Sequence, residues 1–269
     1  MKHRLPLLNS NIVKSLFKKV AYLFTILCIW QCAYVLGGCS DLIFPTPIQV
    51  ARFLWHACAD GTLVGATWMT IKRLILGYSI SVFIGIPMGM LCSRFYILNA
   101  FIGKLVLGLQ TLPSICWVPL TLLWFGQTDR AILFVVTMGS LWSLIASTES
   151  SVCQIPNLYI KAARTMGSRG IDLWVTVIFP AALPLIITGM KQSWAFAWRS
   201  LMSAEIYVST IRGLGIGQLL HYGREMQAMD QVVGIIFVII AIGFIAEKII
   251  FVNLEKTLHK RWGFIKSPN

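Results

Sequence analysis

From Val20 to Ser40 the chain runs without a charged side chain, and it does so again over Leu74–Ser93, Leu105–Thr128 and Ala131–Thr148. An α-helix rises 1.5 Å per residue, so about 20 apolar residues cross about 30 Å of hydrocarbon. Each of these runs is close to that length. A further one, Val232–Val252, carries only Glu247 and Lys248 near its end. A water-soluble domain has no place for so many apolar side chains, because surface outgrows core at this size. Composition agrees: 57% of the residues are hydrophobic and 12% charged, against about 45–50% and 25% in soluble domains. The expected fold class is all-α, a polytopic membrane protein with about six transmembrane helices.

The segment Leu173–Tyr207 admits two readings. Its first half holds Pro180 and Pro184, each of which removes a helix hydrogen bond, and its second half holds Arg199 and Glu205. Two spans here would make seven; an approach segment followed by one span would make six. Basic residues gather in cytoplasmic loops. With six spans and a cytoplasmic N-terminus, fourteen Lys and Arg fall inside and six outside; seven spans leave the two sides even. Six is the better topology, with both termini cytoplasmic. The expected organisation is an N-terminal part with the first span (1–60), a core of five helices (61–255) and a basic tail (256–269).

A net charge of +13 would suggest nucleic acid in a soluble chain. Here the loop rule accounts for it, and neither an aromatic RNA-binding signature nor zinc-finger spacing is present. The seven cysteines form no C-x-x-C pair. Those in apolar runs act as small hydrophobes, while Cys39 and Cys58 lie near enough in sequence to pair. Four histidines without ligand spacing give no metal site, and no cofactor is expected. Leu36-Gly37-Gly38-Cys39 has the form of a lipoprotein cleavage box, but the spans that follow make it the end of a retained helix. The glycines of Gly213-Leu214-Gly215-Ile216-Gly217 lack the preceding strand of a dinucleotide site and read as a tight turn. No phosphate loop G-x-x-x-x-G-K-[ST] occurs, so any ATP hydrolysis belongs to another chain. His56 and His221 read as surface imidazoles. The chain is not expected to be an enzyme.

The most informative stretch is Pro156–Pro184. It reads Lys161-Ala162-Ala163, three residues, Gly167, nine residues, then Val177-Ile178-Phe179-Pro180. This resembles the signature of the binding-protein-dependent ABC importer permeases: Glu-Ala-Ala, three residues, Gly, nine residues, Ile-x-Leu-Pro. Lys161, Val177 and Phe179 depart from it, and Lys161 reverses the charge at the first position. Ala162, Ala163 and Gly167 present small side chains, Gly167 is a plausible helix stop, and Pro180 ends the piece that follows. In the family this segment is a coupling helix that docks on the ATPase subunit. The resemblance extends over roughly residues 60–265. Thr67–Gly89, with Arg73 and Gly77, is similar to the opening core helix. Leu112-Pro113 to Gly126, the run from Gly189 to Gly215, and Arg261-Trp262 resemble the nitrate/sulfonate/taurine class. The resemblance implies a type I importer permease fold, two ATP-binding subunits, an extracytoplasmic solute-binding protein, and a second permease copy.

At 100° per residue, Trp198, Met202 and Glu205 fall within about 40° of Lys191. This stripe is a candidate lining of the translocation path, since charges in a span usually face a bundle interior or a wet route. Equally, Lys191 and Glu205, about 21 Å apart along the helix, could reach opposite interfaces. Arg199 lies off the stripe. Two other classes are weighed. A secondary transporter would use Glu205 or Glu149 as proton carrier and usually shows repeats with broken helices; a membrane-embedded enzyme would need a catalytic cluster, and none is visible.

Overall fold

The computed structural model describes residues 10–37, 44–210 and 213–254. The 256–269 tail, Arg261, Trp262 and Cys39 with its pairing to Cys58 lie outside them. The described residues form helices joined by short turns, with no strand among them. In chain order these are α1 (Ser10–Gly37), α2 (Pro47–Ala59), α3 (Thr62–Arg94), α4 (Tyr96–Leu98), α5 (Lys104–Gln110), α6 (Trp117–Phe125) and α7 (Asp129–Cys153). There follow α8 (Asn157–Thr165), α9 (Gly170–Leu173), α10 (Phe179–Tyr207), α11 (Ile216–Glu225) and α12 (Met229–Ala246).

Four continuous helical runs have the length and apolar character of membrane spans: Thr62–Arg94, Asp129–Cys153, Gly170–Tyr207 and Met229–Phe251. The ambiguous segment is therefore one span. Pro180 does not end a piece, as the sequence suggested; it lies inside the continuous run, at the start of α10, where a local π turn accommodates the missing N–H. The π-helical turn Trp174–Ile178 precedes it. The third apolar run does not cross as one rod: Tyr96–Gln110 and Ser114–Phe125 meet at 95°. Pro113 stands at that break. Pro119 falls in the first turn of α6, where it is tolerated.

α3, α7 and α10 pack into the centre. Lipid tails are as apolar as leucine, so burying apolar area does little to hold such helices together, and close backbone approach and interhelical hydrogen bonds matter more. Both are present. Ser81 Oγ lies 2.7 Å from Ser140 Oγ, Ser193 Oγ donates to the Ser140 carbonyl at 2.9 Å, and Tyr78 Oη donates to the Met190 carbonyl at 2.7 Å. Gly77, Gly85 and Gly89 form the face of α3 that receives Val136, Leu144 and Thr148 of α7. A Cβ at Gly89 would stand 2.6 Å from Thr148 Cβ and 2.7 Å from the Ile145 carbonyl oxygen. Overpacking of this kind costs about 1–3 kcal/mol, and more when backbone must move. Gly89→Leu should therefore lower the unfolding midpoint in detergent by several degrees; an unchanged midpoint would show that the two helices can part freely.

On one flank α12 rests on α2 and α11, with Phe53, Leu54, Leu63, Ala66, Ile216, Leu219 and Ile235 in a shared cluster. α2 starts on a capping box, the Thr46 hydroxyl accepting from Gln49 N and the Gln49 side chain from Thr46 N. α1 joins this flank through Trp30, whose ring centroid lies 5.6 Å from that of Phe237 and whose Nε1 donates to the Pro45 carbonyl. The outward faces of α12 and of the middle of α3 are largely apolar, with Phe237, Ile240, Phe244 and Phe83 exposed.

Candidate functional site

Two places gather the residues to which the sequence pointed. The first is the loop between α7 and α10. α8 follows Pro156 and ends in a left-handed residue, Gly167, with φ of 95°. Ser168 N donates to the Ala163 carbonyl at 3.0 Å, closing the last turn in the manner of a Schellman cap. Gly170, at φ 59°, turns the chain again into α9. Ala163 is buried against Ile155, Leu173, Ile178, Ala182 and Ile186, which seats α8 on the foot of the membrane helices.

The structure divides the small-residue surface expected at 162–167. Ala163 faces inward, while Ala162 and Lys161 are exposed. Leu158 (71% exposed), Tyr159 (53%) and Met166 (87%) are exposed as well. At 100° per residue Leu158, Ala162, Met166 and Tyr159 share an arc of about 100°. Large apolar side chains that face away from the subunit were not read as the docking element, although their spacing was visible in the sequence. At Gly167 a Cβ would meet nothing within the subunit. Its constraint is backbone conformation, because a positive φ strains any residue with a Cβ.

The second place is at the opposite end of the core. Arg73 of α3 is 3% exposed, and its Nη1 donates to Glu205 Oε1 of α10 at 3.0 Å. Its Nε donates to Asp129 Oδ1, at the start of α7, at 2.9 Å. Nη2 donates to Thr210 Oγ1 at 2.6 Å and to the Gly213 carbonyl at 3.0 Å. Glu205 is fully buried and accepts in addition from Thr70 Oγ1 at 2.9 Å and Gly217 N at 3.0 Å. The expected turn at Gly213–Gly217 has a specific reason: a Cβ at Gly215 or Gly217 would strike Glu205. Those glycines let the loop close over the carboxylate.

Of the stripe expected to line a path, Glu205 is turned into the subunit, while Lys191 and Trp198 are half-exposed in a cavity between α10 and α12. Glu205 faces α3 and α11. Lys191 Nζ pairs with Glu247 Oε1 at 3.0 Å, and Trp198 lies against Gly243 of α12. Met202 packs at the edge of the central cluster. Helical angle puts the four on one side of α10 but does not show that α3 and α11 cover its Glu205 end while its Lys191 end stays half-open. Arg199, off the stripe, is exposed. Glu149 accepts from Asn99 Nδ2 at 3.0 Å. No group of three His, Cys, Asp or Glu able to hold a metal occurs among the described residues.

Residues 81–261 match the family described as the inner membrane component of binding-protein-dependent transport systems. The chain belongs to this family. Among its relatives are the nitrate import permease protein NrtB of Leptolyngbya laminosa, 27% identical and covering 91% of both chains. Another is the bicarbonate transport system permease protein CmpB of Synechococcus elongatus, 30% identical and covering 83% of both. The fold matches a chain of the inward-facing MetNI methionine ABC transporter at a TM-score of 0.63 and 17% identity, over 73% of this chain and 96% of that one. The protein is a permease subunit of an ATP-binding cassette importer, with the type I fold expected from its α8 signature. Secondary transport with Glu205 as proton carrier gives way to this assignment.

Proposed function

We propose that two copies of this permease flank a path for a small anion, and that α8 of each docks in a cleft on a cytoplasmic ATP-hydrolysing subunit. The observation that carries the docking is the outward arc of Leu158, Tyr159, Ala162 and Met166, held by Ala163 and the Gly167 cap. A helix anchored on one side and apolar on the other can pass a partner's movement into α7 and α10, to which its two ends connect. Lys161 lies beside the arc and offers a cation where the family signature has Glu, so the partner's matching group is acidic.

The same end of the molecule carries Arg94, Arg164 and Arg169 around one cavity, which favours a cytoplasmic face by the loop-charge rule. Both termini then lie inside, and the α11 end, with the loop at 208–215, faces a solute-binding protein. The anionic solute class rests on relatives named for nitrate and bicarbonate. ATP binding to the partner would switch the pair between inward- and outward-open forms, the chain itself supplying no hydrolytic group.

Labelling tests the docking. In a chain freed of its native cysteines, Met166→Cys should react with an impermeant maleimide only from the cytoplasmic face, and His56→Cys only from the outside. Binding of the ATPase subunit should slow the reaction at position 166 by about tenfold or more, as expected when a large apolar side chain is fully covered. Reaction of position 166 from outside, or equal rates with and without the ATPase, would contradict the assignment.

A further inference from the structure

Between the break in the third span and the facing sides of α7 and α10 lies a cavity of about 400 Å³. Its walls hold Arg199, Ser200 and Ser203 from α10, Trp142 and Ser143 from α7, and the turn around Thr111. Arg199 precedes the end of α10 at Tyr207 by eight residues, or about 12 Å of helix. Thr111 follows the start of α4 at Tyr96 by fifteen residues, or about 22 Å. A guanidinium and a non-helical stretch of backbone therefore share one depth well inside the bilayer.

Each of these is costly in hydrocarbon. Irregular backbone at membrane depth is tolerated where it is buried in protein or lines a water-filled cavity, and an intramembrane charge faces an interior or a wet route. The stretches 75–91 of α3 and 234–246 of α12, which expose Phe83, Phe237, Ile240 and Phe244, carry neither. Here they coincide.

The cavity is also electrically one-sided. Arg73 and Lys191 are each matched by a carboxylate, whereas no carboxylate stands within ion-pair distance of Arg199 among the described residues. Its Nε donates to the Ala195 carbonyl at 3.1 Å, and its guanidinium carbon lies 4.5 Å from the Phe196 ring centre. These contacts fix the side chain and leave the terminal nitrogens as donors. Trp142 adds a buried indole N–H with no partner among the described residues. Ser143 lies on the same wall, while the Ser200 and Ser203 hydroxyls donate to the Phe196 and Arg199 carbonyls at 2.8 and 3.1 Å and leave their oxygens toward the cavity. The donors left to a ligand are the guanidinium and the indole, and the wall holds no carboxylate, which suits a small oxyanion or carboxylate and repels a cation.

We propose that this cavity is the anion-selective station of the path, with Arg199 as the group that recognises the solute's charge. The inference rests on the reading of the permease as one of a pair, because a second copy closes the cavity's open side. It names a face of α10 about 80° round the helix from Lys191, off the stripe.

The station can be tested with charged probes and without knowledge of the solute. Ser203→Cys is placed in the chain freed of native cysteines and expressed with its partner subunits in opened membrane fragments. It is treated with the anionic reagent 2-sulfonatoethyl methanethiosulfonate and with the cationic 2-(trimethylammonio)ethyl analogue. Rates are normalised to those with a free thiol in solution, and any effect of Arg199 on the thiol itself cancels in the ratio of the two reagents. The anionic reagent should be favoured by about tenfold, a modest share of the Coulomb energy between neighbouring unit charges. Adding Arg199→Gln should bring the ratio to about one, while Arg199→Lys should keep the preference. A position that neither reagent reaches, a ratio of one or less with Arg199 present, or a preference that survives Arg199→Gln would overturn the proposal. Co-purification of the ATPase, read on the same membranes, reports separately on the docking of α8.

Discussion

Arg73→Ala and Glu205→Ala should each leave little folded permease in the membrane. Removing one partner of a buried ion pair costs about 3–5 kcal/mol, because the other charge remains buried without compensation. Total stabilities of about 5–15 kcal/mol leave small room for such a loss. Glu205 is the more exposed to this effect in the energetic sense, since its carboxylate also receives Thr70 and Gly217. Arg73 would lose Glu205 but keep Asp129, which is 27% exposed. Glu205→Ala therefore orphans a backbone N–H and removes one of the guanidinium's two carboxylate partners. The double variant Arg73→Met with Glu205→Leu removes both charges and should recover part of the lost stability, though the Gly217 N–H and Asp129 stay unmatched. Abundance by fluorescence size exclusion and unfolding midpoints in detergent check the series. Single variants as stable as the parent would mean that the node does not hold α3, α7 and α10 together.

That node was the part of the molecule least legible in the sequence. Arg73, Asp129 and Glu205 are far apart along the chain, and each stands near the end of an apolar run where loop charges are common. The uncharged run begins only at Leu74, just after Arg73, whereas α3 begins at Thr62 and carries Arg73 within it. What the sequence does contain is a carboxylate near the end of one span and a glycine-rich loop eight residues on. The structure shows that the glycines make room for that carboxylate.

The spans themselves were legible because hydrocarbon admits few alternatives: an uncharged run of sufficient length has to be a helix. The break at Thr111–Pro113 was signalled by proline, but a proline indicates where a helix can bend and not by how much. The α8 segment was legible as a spaced pattern of small residues. Its role as a wedge, anchored by Ala163 and outwardly apolar at Tyr159 and Met166, depends on which side faces the membrane helices. Helical periodicity puts residues on common faces; only the neighbours decide which face is covered. The same limit accounts for Lys191 and Glu205, whose partners Glu247 and Arg73 come from other helices.

Replacing Leu158, Tyr159 and Met166 together by Ser should separate transport from ATP hydrolysis. None of the three is needed to seat α8, because Ala163 and the residues around it do that. The variant should therefore fold and insert normally. Burying a large apolar side chain contributes about 1.5–3 kcal/mol, so the loss of three such contacts lowers the affinity for an ATPase subunit by at least about a hundredfold even after heavy discount for imperfect burial. Gly167→Ala, which strains the cap at φ 95° without removing a contact, should weaken coupling to a smaller degree.

The most direct measurement reconstitutes the permease with its ATPase subunit and solute-binding protein in vesicles, and records uptake and ATP consumption on the same sample. With the parent chain, added binding protein and solute should raise hydrolysis and uptake together. With the triple serine variant, the permease should be present at parental abundance, uptake should fall to background, and hydrolysis should no longer respond to solute. Parental uptake by that variant, with the ATPase still bound, would contradict the assignment of α8 as the element that couples ATP to transport.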